Sequence, residues 1–414
     1  MRFDLLLRGG EVIDPGGRSA ALDVGVRAGR IAAVEPGLDP AGAREVADVS
    51  GLVVTPGLVD LHTHVGIGYW GIDPDPVAWC TGVTTWVDAG SAGAYTFRAF
   101  RAYAQTRRVR TPALLNVAGP GLAGQTGEGR DPAALDVDAA IATVLGNRDV
   151  IVGVKARLDS GAAGSLEPLR RALTVAEAGG LPVMAHIGVA PPRADEVLDL
   201  LRPGDIVTHC ASGLAEGLLD GGRPSRAVVD AYARGVLFDL GHGAGGFSFA
   251  TLDALLAAGL PPHTVSTDLH ARSVFGPVFD LPTTMAKLLA AGLPLADVIA
   301  AATVRPARAL GLPGGTLTVG GPADIAVFAV TEEPFDVADV HLTVRTAPRR
   351  LANVATYVDG ALLPPLLPPG PPPWIPLTGA QRAALDARTR IFRDLLTQPL
   401  VAADGLDEQF RRQE

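Results

Sequence analysis

Apolar and polar positions follow two rhythms along this chain. Eight short apolar runs recur, rich in β-branched or small residues, each closing on glycine or a polar side chain. They are 52–64 (LVVTPGLVDLHTH), 83–90 (VTTWVDAG), 113–119 (ALLNVAG), 150–157 (VIVGVKAR), 182–188 (PVMAHIG), 206–213 (IVTHCASG), 236–243 (VLFDLGHG) and 263–270 (HTVSTDLH). Between them, stretches such as 165–179 (SLEPLRRALTVAEAG), 194–202 (ADEVLDLLR) and 226–235 (RAVVDAYARG) place apolar residues at three- and four-residue spacing. The first rhythm is that of buried strands and the second that of amphipathic helices with Gly or Pro at their ends. Strands alternating with helices imply βαβ units and a parallel sheet. Eight such units in one domain of this size predict an α/β fold, a closed (β/α)8 TIM barrel over residues 56–314.

The ends of the chain change style. Residues 3–14 (FDLLLRGGEVID), 24–36 (VGVRAGRIAAVEP), 315–330 (GTLTVGGPADIAVFAV) and 353–363 (NVATYVDGALL) read as strands joined by turns. A small β domain built from both termini, residues 1–55 plus 315–365, is the simplest assembly. Residues 366–414 form a separate extension. Its first part belongs to a proline-rich, extended stretch and is followed by a polar helical pattern, which serves oligomer contacts or wraps passively over the surface.

Composition narrows the function classes. With 48% apolar residues, the 414-residue chain can bury a large core. A formal net charge of −9 and the lack of a basic patch argue against nucleic acid or an anionic membrane as partner. No run approaches the roughly 20 uncharged apolar residues of a membrane span, and the N-terminal apolar run is too short for a signal peptide. Two cysteines, Cys80 and Cys210, make no disulfide framework and read as small buried residues. A cytoplasmic location is the default, with a small-molecule partner and a homo-oligomer as an option. The cations are almost all arginine; the two lysines are Lys155 and Lys287, so neither reads as generic surface charge.

In such a barrel, functional groups gather at the C-terminal ends of the strands. Those ends carry His62 and His64, Lys155, His186, His209 and Asp268 in turn. Each has an ordinary explanation alone: His186 as a satisfied core residue, Asp268 as a helix cap. On a strand His62 and His64, two residues apart, share a face. Together, four imidazoles, an amine and a carboxylate at one end of one barrel would be costly to bury without a metal ion.

This pattern resembles the amidohydrolase superfamily, in its dihydroorotase and hydantoinase branch. The resemblance implies metal ligation by His62, His64, Lys155, His186, His209 and Asp268. Two divalent ions, zinc by ligand type, would be bridged by Lys155 carboxylated with carbon dioxide. It further implies hydrolysis of an amide or ester through a metal-bridging hydroxide, with Asp268 as the catalytic proton carrier. The segments 82–101 (GVTTWVDAGSAGAYTFRAFR), 152–157 (VGVKAR), 238–249 (FDLGHGAGGFSF) and 266–289 (STDLHARSVFGPVFDLPTTMAKLL) are similar to the amidohydrolase/deacetylase family. Its members are thought to deacetylate N-acetyl amino acids or O-acetyl 2-hydroxy acids. A cyclic amidase is the alternative. Gly66 stands where dihydroorotases carry an arginine that grips the substrate carboxylate, which counts against that activity. A mononuclear deaminase would need a glutamate soon after His186, where the chain reads IGVAPP, and a non-catalytic barrel would be expected to lack ligands. Arg157, His242 and His270 are the candidate substrate contacts, each weighed against an ordinary packing or ion-pair role. Asp88 and Ser91 read as residues that shape the loop after the second strand.

Overall fold

The computed structural model describes residues 2–66, 71–123, 127–215 and 217–365, together with 378–380, 383 and 387. The extension expected over 366–414 therefore lies almost wholly outside the described residues.

Five strands precede the barrel: β1 (Phe3–Asp14), β2 (Arg18–Arg27), β3 (Arg30–Glu35), β4 (Ala43–Asp48) and β5 (Val53–Pro56). Seven more form its wall: β6 (Leu58–Thr63), β7 (Val83–Gly93), β8 (Ala113–Asn116), β9 (Ile151–Arg157), β10 (Val183–His186), β11 (Ile206–Thr208) and β12 (Leu237–Asp239). They pair in chain order, all parallel, from β6 to β12. The ring is completed by the eighth run, which makes single parallel bridges on both sides, Asp239 to Thr264 and Thr63 to Leu269. Each of the eight apolar runs thus supplies one position of the wall, as its alternation predicts. The eighth makes no continuous ladder, and within it Asp268 turns into the left-handed region (φ 49°), where a non-glycine residue is strained.

Val59, Leu61, Val87, Ala89, Leu114, Met184 and Ile206 form an apolar layer inside the barrel, packed with Ala307 and Leu310 at the end of helix 304–309. The opposite, C-terminal end is polar. Outside the wall, helices such as 167–179 bury one stripe, here Leu169, Ala172, Val175 and Ala176, against the strands.

The chain then returns through β13 (Ile325–Thr331), β14 (Arg350–Val358) and β15 (Ala361–Leu362). These strands join the first five in one sheet of order β15-β14-β13-β5-β1-β2-β3, with β4 beside β1. Both ends of the chain therefore contribute to that sheet. The Arg110 guanidinium, in the loop before β8, pins it to the barrel through Asp324 (2.7 and 3.1 Å) and Asp359 (2.6 Å).

Candidate metal centre

The polar end of the barrel is assembled from the strand ends. His62 shares its direction with His64 by strand alternation, and an irregularity lies at or just before them: Asp60 lies opposite Trp86 but Thr63 opposite Asp88, so β6 holds one extra residue in that interval. The bulge lets Leu61 belong to the apolar layer while its neighbour His62 also faces inward. His62 Nε2 and His64 Nε2 lie 3.3 and 3.2 Å from Asp268 Oδ1. Ligand atoms of the three residues all fall within 4.8 Å of one another. Lys155, buried at the end of β9, places Nζ 3.2 Å from His62 Nε2 and 3.1 Å from Met184 Sδ. The His209 ring sits 5.2 Å from that of His62, and its Nε2 is 2.8 Å from His186 Nδ1. All six predicted ligands are therefore gathered at one end of the barrel.

Hydrogen bonding determines where the lone pairs point. Asp239, fully buried, accepts from the hydroxyls of Thr264, Thr208 and Ser266, each at 2.7 Å. With the Thr208 hydrogen spent on Asp239, its oxygen accepts from His62 Nδ1 at 2.8 Å, so His62 Nε2 carries a lone pair. His209 Nδ1 donates to the Gly241 carbonyl at 2.5 Å, which likewise leaves a lone pair on Nε2. His186 Nε2 donates to Asp159 Oδ2 at 3.1 Å, leaving its Nδ1 bare. Two bare nitrogens, of His186 and His209, consequently face each other. Burial lowers the pKa of both rings, that of His209 to about 3, which works against relieving the contact with a proton. A metal cation between the two nitrogens would relieve it. The His62 lone pair faces Asp268 Oδ1 at 3.3 Å and the Lys155 amine at 3.2 Å, so here a donor already stands beside it. This donor set of neutral imidazoles and a carboxylate, each ring oriented through its other nitrogen, fits a divalent metal.

Burial also pushes the Lys155 amine down to about 7. Burial alone would raise the Asp268 carboxyl, but the rings of His62, His64 and His270 around it hold it well below the usual range.

The remaining candidates are spread around the mouth. Arg157 reaches Glu128 (3.0 Å) and Asp159 (3.4 Å), so its guanidinium is already paired with two carboxylates. The His270 ring lies 6.2 Å from that of His64. His242 is buried, stacked on Phe247 at 4.8 Å. Ser91 contacts His64 Nδ1 at 3.0 Å, and Asp88 accepts from the backbone N–H of Ser91 and Val65. Asp60 accepts from the hydroxyl and N–H of Thr267, next to Asp268. Sequence reasoning missed Asp60, Asp159 and Asp239 as anchors; the signal available was an aspartate at or beside the end of an otherwise apolar run. Cys210 is buried as expected, but Cys80 is exposed. It sits in the turn after the short helix 75–78, where its thiol donates to the Val77 carbonyl instead of packing in the core.

Fold and site together define a hydrolase of the (β/α)8-barrel class. Residues 247–361 match the profile of the amidohydrolase family. A deacetylase of Agrobacterium fabrum is 37% identical over 320 residues, spanning 75% of this chain and 79% of its own. Among solved structures, a dihydroorotase superposes with a TM-score of 0.80 at 33% identity, covering 86% of this chain and 98% of its own. An adenine deaminase superposes at 0.83 with 30% identity, covering 87% and 99%. The chain belongs to the amidohydrolase family, hydrolases acting on carbon–nitrogen bonds. Among the described residues no helix is long and apolar enough to cross a membrane.

Proposed function

We propose that this protein is a binuclear metal-dependent deacetylase acting in the cytoplasm on N-acetyl amino acids or O-acetyl 2-hydroxy acids. The facing lone pairs of His186 and His209, beside the separate group of His62, His64 and Asp268, support this reading, because they make two donor sets, with Lys155 Nζ 3.2 Å from His62 Nε2 of the second. The likeness to the Agrobacterium deacetylase supports the acetyl group.

In this reading His62, His64 and Asp268 would hold one divalent ion, zinc by ligand type, and His186 and His209 would hold the other. Lys155 would serve both once its amine has condensed with carbon dioxide, forming the N–C bond of a carbamate and releasing a proton. Burial suits this step, since only the neutral amine reacts and the pKa is already down at about 7. Bound there, the ions would supply a nucleophilic water at neutral pH and polarise the scissile carbonyl. The chain's own groups do the rest. Asp268, held ionised, accepts the proton of the attacking water and returns it to the leaving amine or alkoxide. Thr208, Asp239 and Gly241 keep Nδ1 of His62 and His209 protonated, so that both present Nε2. Arg157, already paired twice, orients Asp159 and through it His186; His270, beside His64, remains the candidate to touch substrate.

The test is product release from a chiral panel of N-acetyl amino acids, O-acetyl 2-hydroxy acids, dihydroorotate, a hydantoin and a dipeptide. Protein is loaded with zinc in bicarbonate, with Asp268→Asn and Lys155→Ala as controls. Acetate release by the wild type, abolished by Asp268→Asn, is expected, together with loss of most bound metal in Lys155→Ala. Turnover of a ring with silence on every acetyl compound would move the protein to the cyclic amidases, to which the dihydroorotase likeness points. Full metal content and activity in Lys155→Ala would overturn the bridging role.

A further inference from the structure

Lys287 is one of two lysines in the chain, and the chemistry above makes no use of it. It lies on helix 281–290, fully buried, with Nζ 2.6 Å from His242 Nε2 and 2.8 Å from the Pro277 carbonyl. An amine withdrawn from water is costly unless its hydrogen bonds are made, so its partners show what holds it there. The direction of the first bond is settled by the far side of the ring. His242 Nδ1 donates to the Gly243 carbonyl at 2.9 Å, hence Nε2 accepts and Lys287 donates. Burial, which pushes the lysine down to about 7 and the histidine well below its ordinary range, is compatible with this neutral pair.

His242 belongs to a glycine-rich loop, 241–246, wedged behind two of the predicted ligands. The N–H groups of His242 and Gly243 donate to the carbonyls of Ser266 (3.1 Å) and Thr267 (2.8 Å), the residues just before Asp268. Gly243, at φ 52°, packs so closely that a Cβ there would strike Asp268 Oδ2. At the start of the loop the Gly241 carbonyl takes the Nδ1 proton of His209, and near its end a Cβ on Gly246 would lie 2.5 Å from that same nitrogen. The seating of this loop therefore sets both the Asp268 carboxylate and the His209 ring. Stacking of His242 on Phe247 and the grip of Lys287 seat the loop from behind. Through Pro277 the same amine also holds the segment that follows Asp268.

We propose that Lys287 and His242 act as one positioning pair, orienting Asp268 and His209 through the 241–246 loop, and that this, not substrate contact, is the role of His242. For its effect on turnover the proposal rests on the deacetylase reading; for its effect on the ligands it does not. The experiment separates the two. Wild type, Lys287→Met, His242→Phe and the double variant are loaded with Co2+, and visible spectra are recorded without substrate. The two substitutions keep chain length and ring stacking respectively while removing the donor and the two ring nitrogens. Each single variant is expected to bind Co2+ in wild-type amount with a shifted spectrum, and the double variant to reproduce one single variant's spectrum. On whichever acetyl compound the wild type cleaves, kcat should fall about 10–100-fold with KM within about twofold. A pair acting as a unit loses no more in the double variant than in the worse single one. Unshifted spectra in both single variants, or losses that multiply in the double, would overturn the proposal. Should Lys287→Met fail to fold, His242→Phe decides by the same spectrum. Absence of acetate release by the wild type would remove the deacetylase reading and leave the Co2+ comparison standing.

Discussion

Replacing Asp239 with asparagine separates the role of a buried carboxylate in aiming a ligand from its role in holding the barrel. Asp239 accepts three hydroxyl hydrogens, from Thr264 on Oδ1 and from Thr208 and Ser266 on Oδ2. An asparagine offers one acceptor oxygen and one donor group, so at least one hydroxyl has to reverse. If the amide nitrogen takes the Oδ1 place, Thr264 turns round, and Thr208 and Ser266 share a neutral oxygen that holds the Thr208 hydrogen, and through it the His62 tautomer, less firmly. If it takes the Oδ2 place, Thr208 must accept from the amide and give its own hydrogen to His62 Nδ1. The His62 proton then moves to Nε2, the nitrogen that faces Asp268, and the ligand is blocked. In either arrangement three charge-assisted bonds become ordinary ones, at about 1 kcal/mol each or about 3 kcal/mol in all. Relief of charge burial offsets this loss: burial raises the Asp239 pKa despite the three hydroxyls, so the ionised form is held at a net penalty. The net change in stability should therefore stay within about 1 kcal/mol, a shift of no more than about 2–4 °C in Tm. Metal affinity has no such offset. Loss of an orienting partner costs about 10–100-fold, or about 1.4–2.7 kcal/mol. Competition against a chromophoric chelator measures the affinity, and a thermal melt of the metal-free protein measures the stability. Unchanged affinity would refute the argument that Asp239 sets the tautomer of His62. A melt lowered by many degrees would show that its main task is structural.

The His209 side of the centre admits a similar test: Gly246→Ala drives a methyl group against His209 Nδ1 and the Gly241 carbonyl, so the metal-to-protein ratio should drop towards half, while a full complement would show that the loop yields. Lys287 also makes a prediction about pH. Its pKa is lowered from 10.5 to about 7, so between those values the unfolded chain binds a proton that the folded chain does not, and this group makes stability rise with pH by up to about 1.4 kcal/mol per unit. Lys287→Met removes that slope; its advantage over wild type in urea melts should be largest near pH 7 and shrink towards pH 10, and an advantage growing with pH would contradict burial of a neutral amine.

Much of this was legible because period and position survive in one dimension. The eight wall segments stood out as apolar runs recurring between helical patterns, and the six candidate ligands by falling at the ends of those runs. What escaped was set by partners far away in the chain. The hydroxyls that meet Asp239 come from 25 to 31 residues away, and Thr267 meets Asp60 across 207 positions. Nothing local distinguishes such an aspartate from a loop residue. The bulge in β6 was hidden for a related reason: a strict two-residue alternation that puts Leu61 inward would turn His62 outward, and only the pairing with β7 reveals the extra residue. Arg157 shows the limit from the other side, because parity brought it to the mouth but gave no hint of Glu128 beside it. Cys80 was misjudged because cysteine is usually a buried residue, whereas its place in a turn leaves it in water.

The wall of the barrel is not uniform, and its irregular stave is the one that carries Asp268. Seven strands are laced together by ladders, so a change in the course of one re-registers its neighbours. The eighth has no continuous ladder, only a single bridge and scattered backbone hydrogen bonds on either side, and buried carboxylates, Asp60 on one flank and Asp239 on the other, tack it down by its threonines and serine. Such a stave can be re-cut. Its length, the angle at which it leaves the barrel and the loop it throws across the mouth are free to drift over evolutionary time while the other seven stay in register. A lineage built this way would change what it digests by rewriting a single seam, leaving the vessel intact.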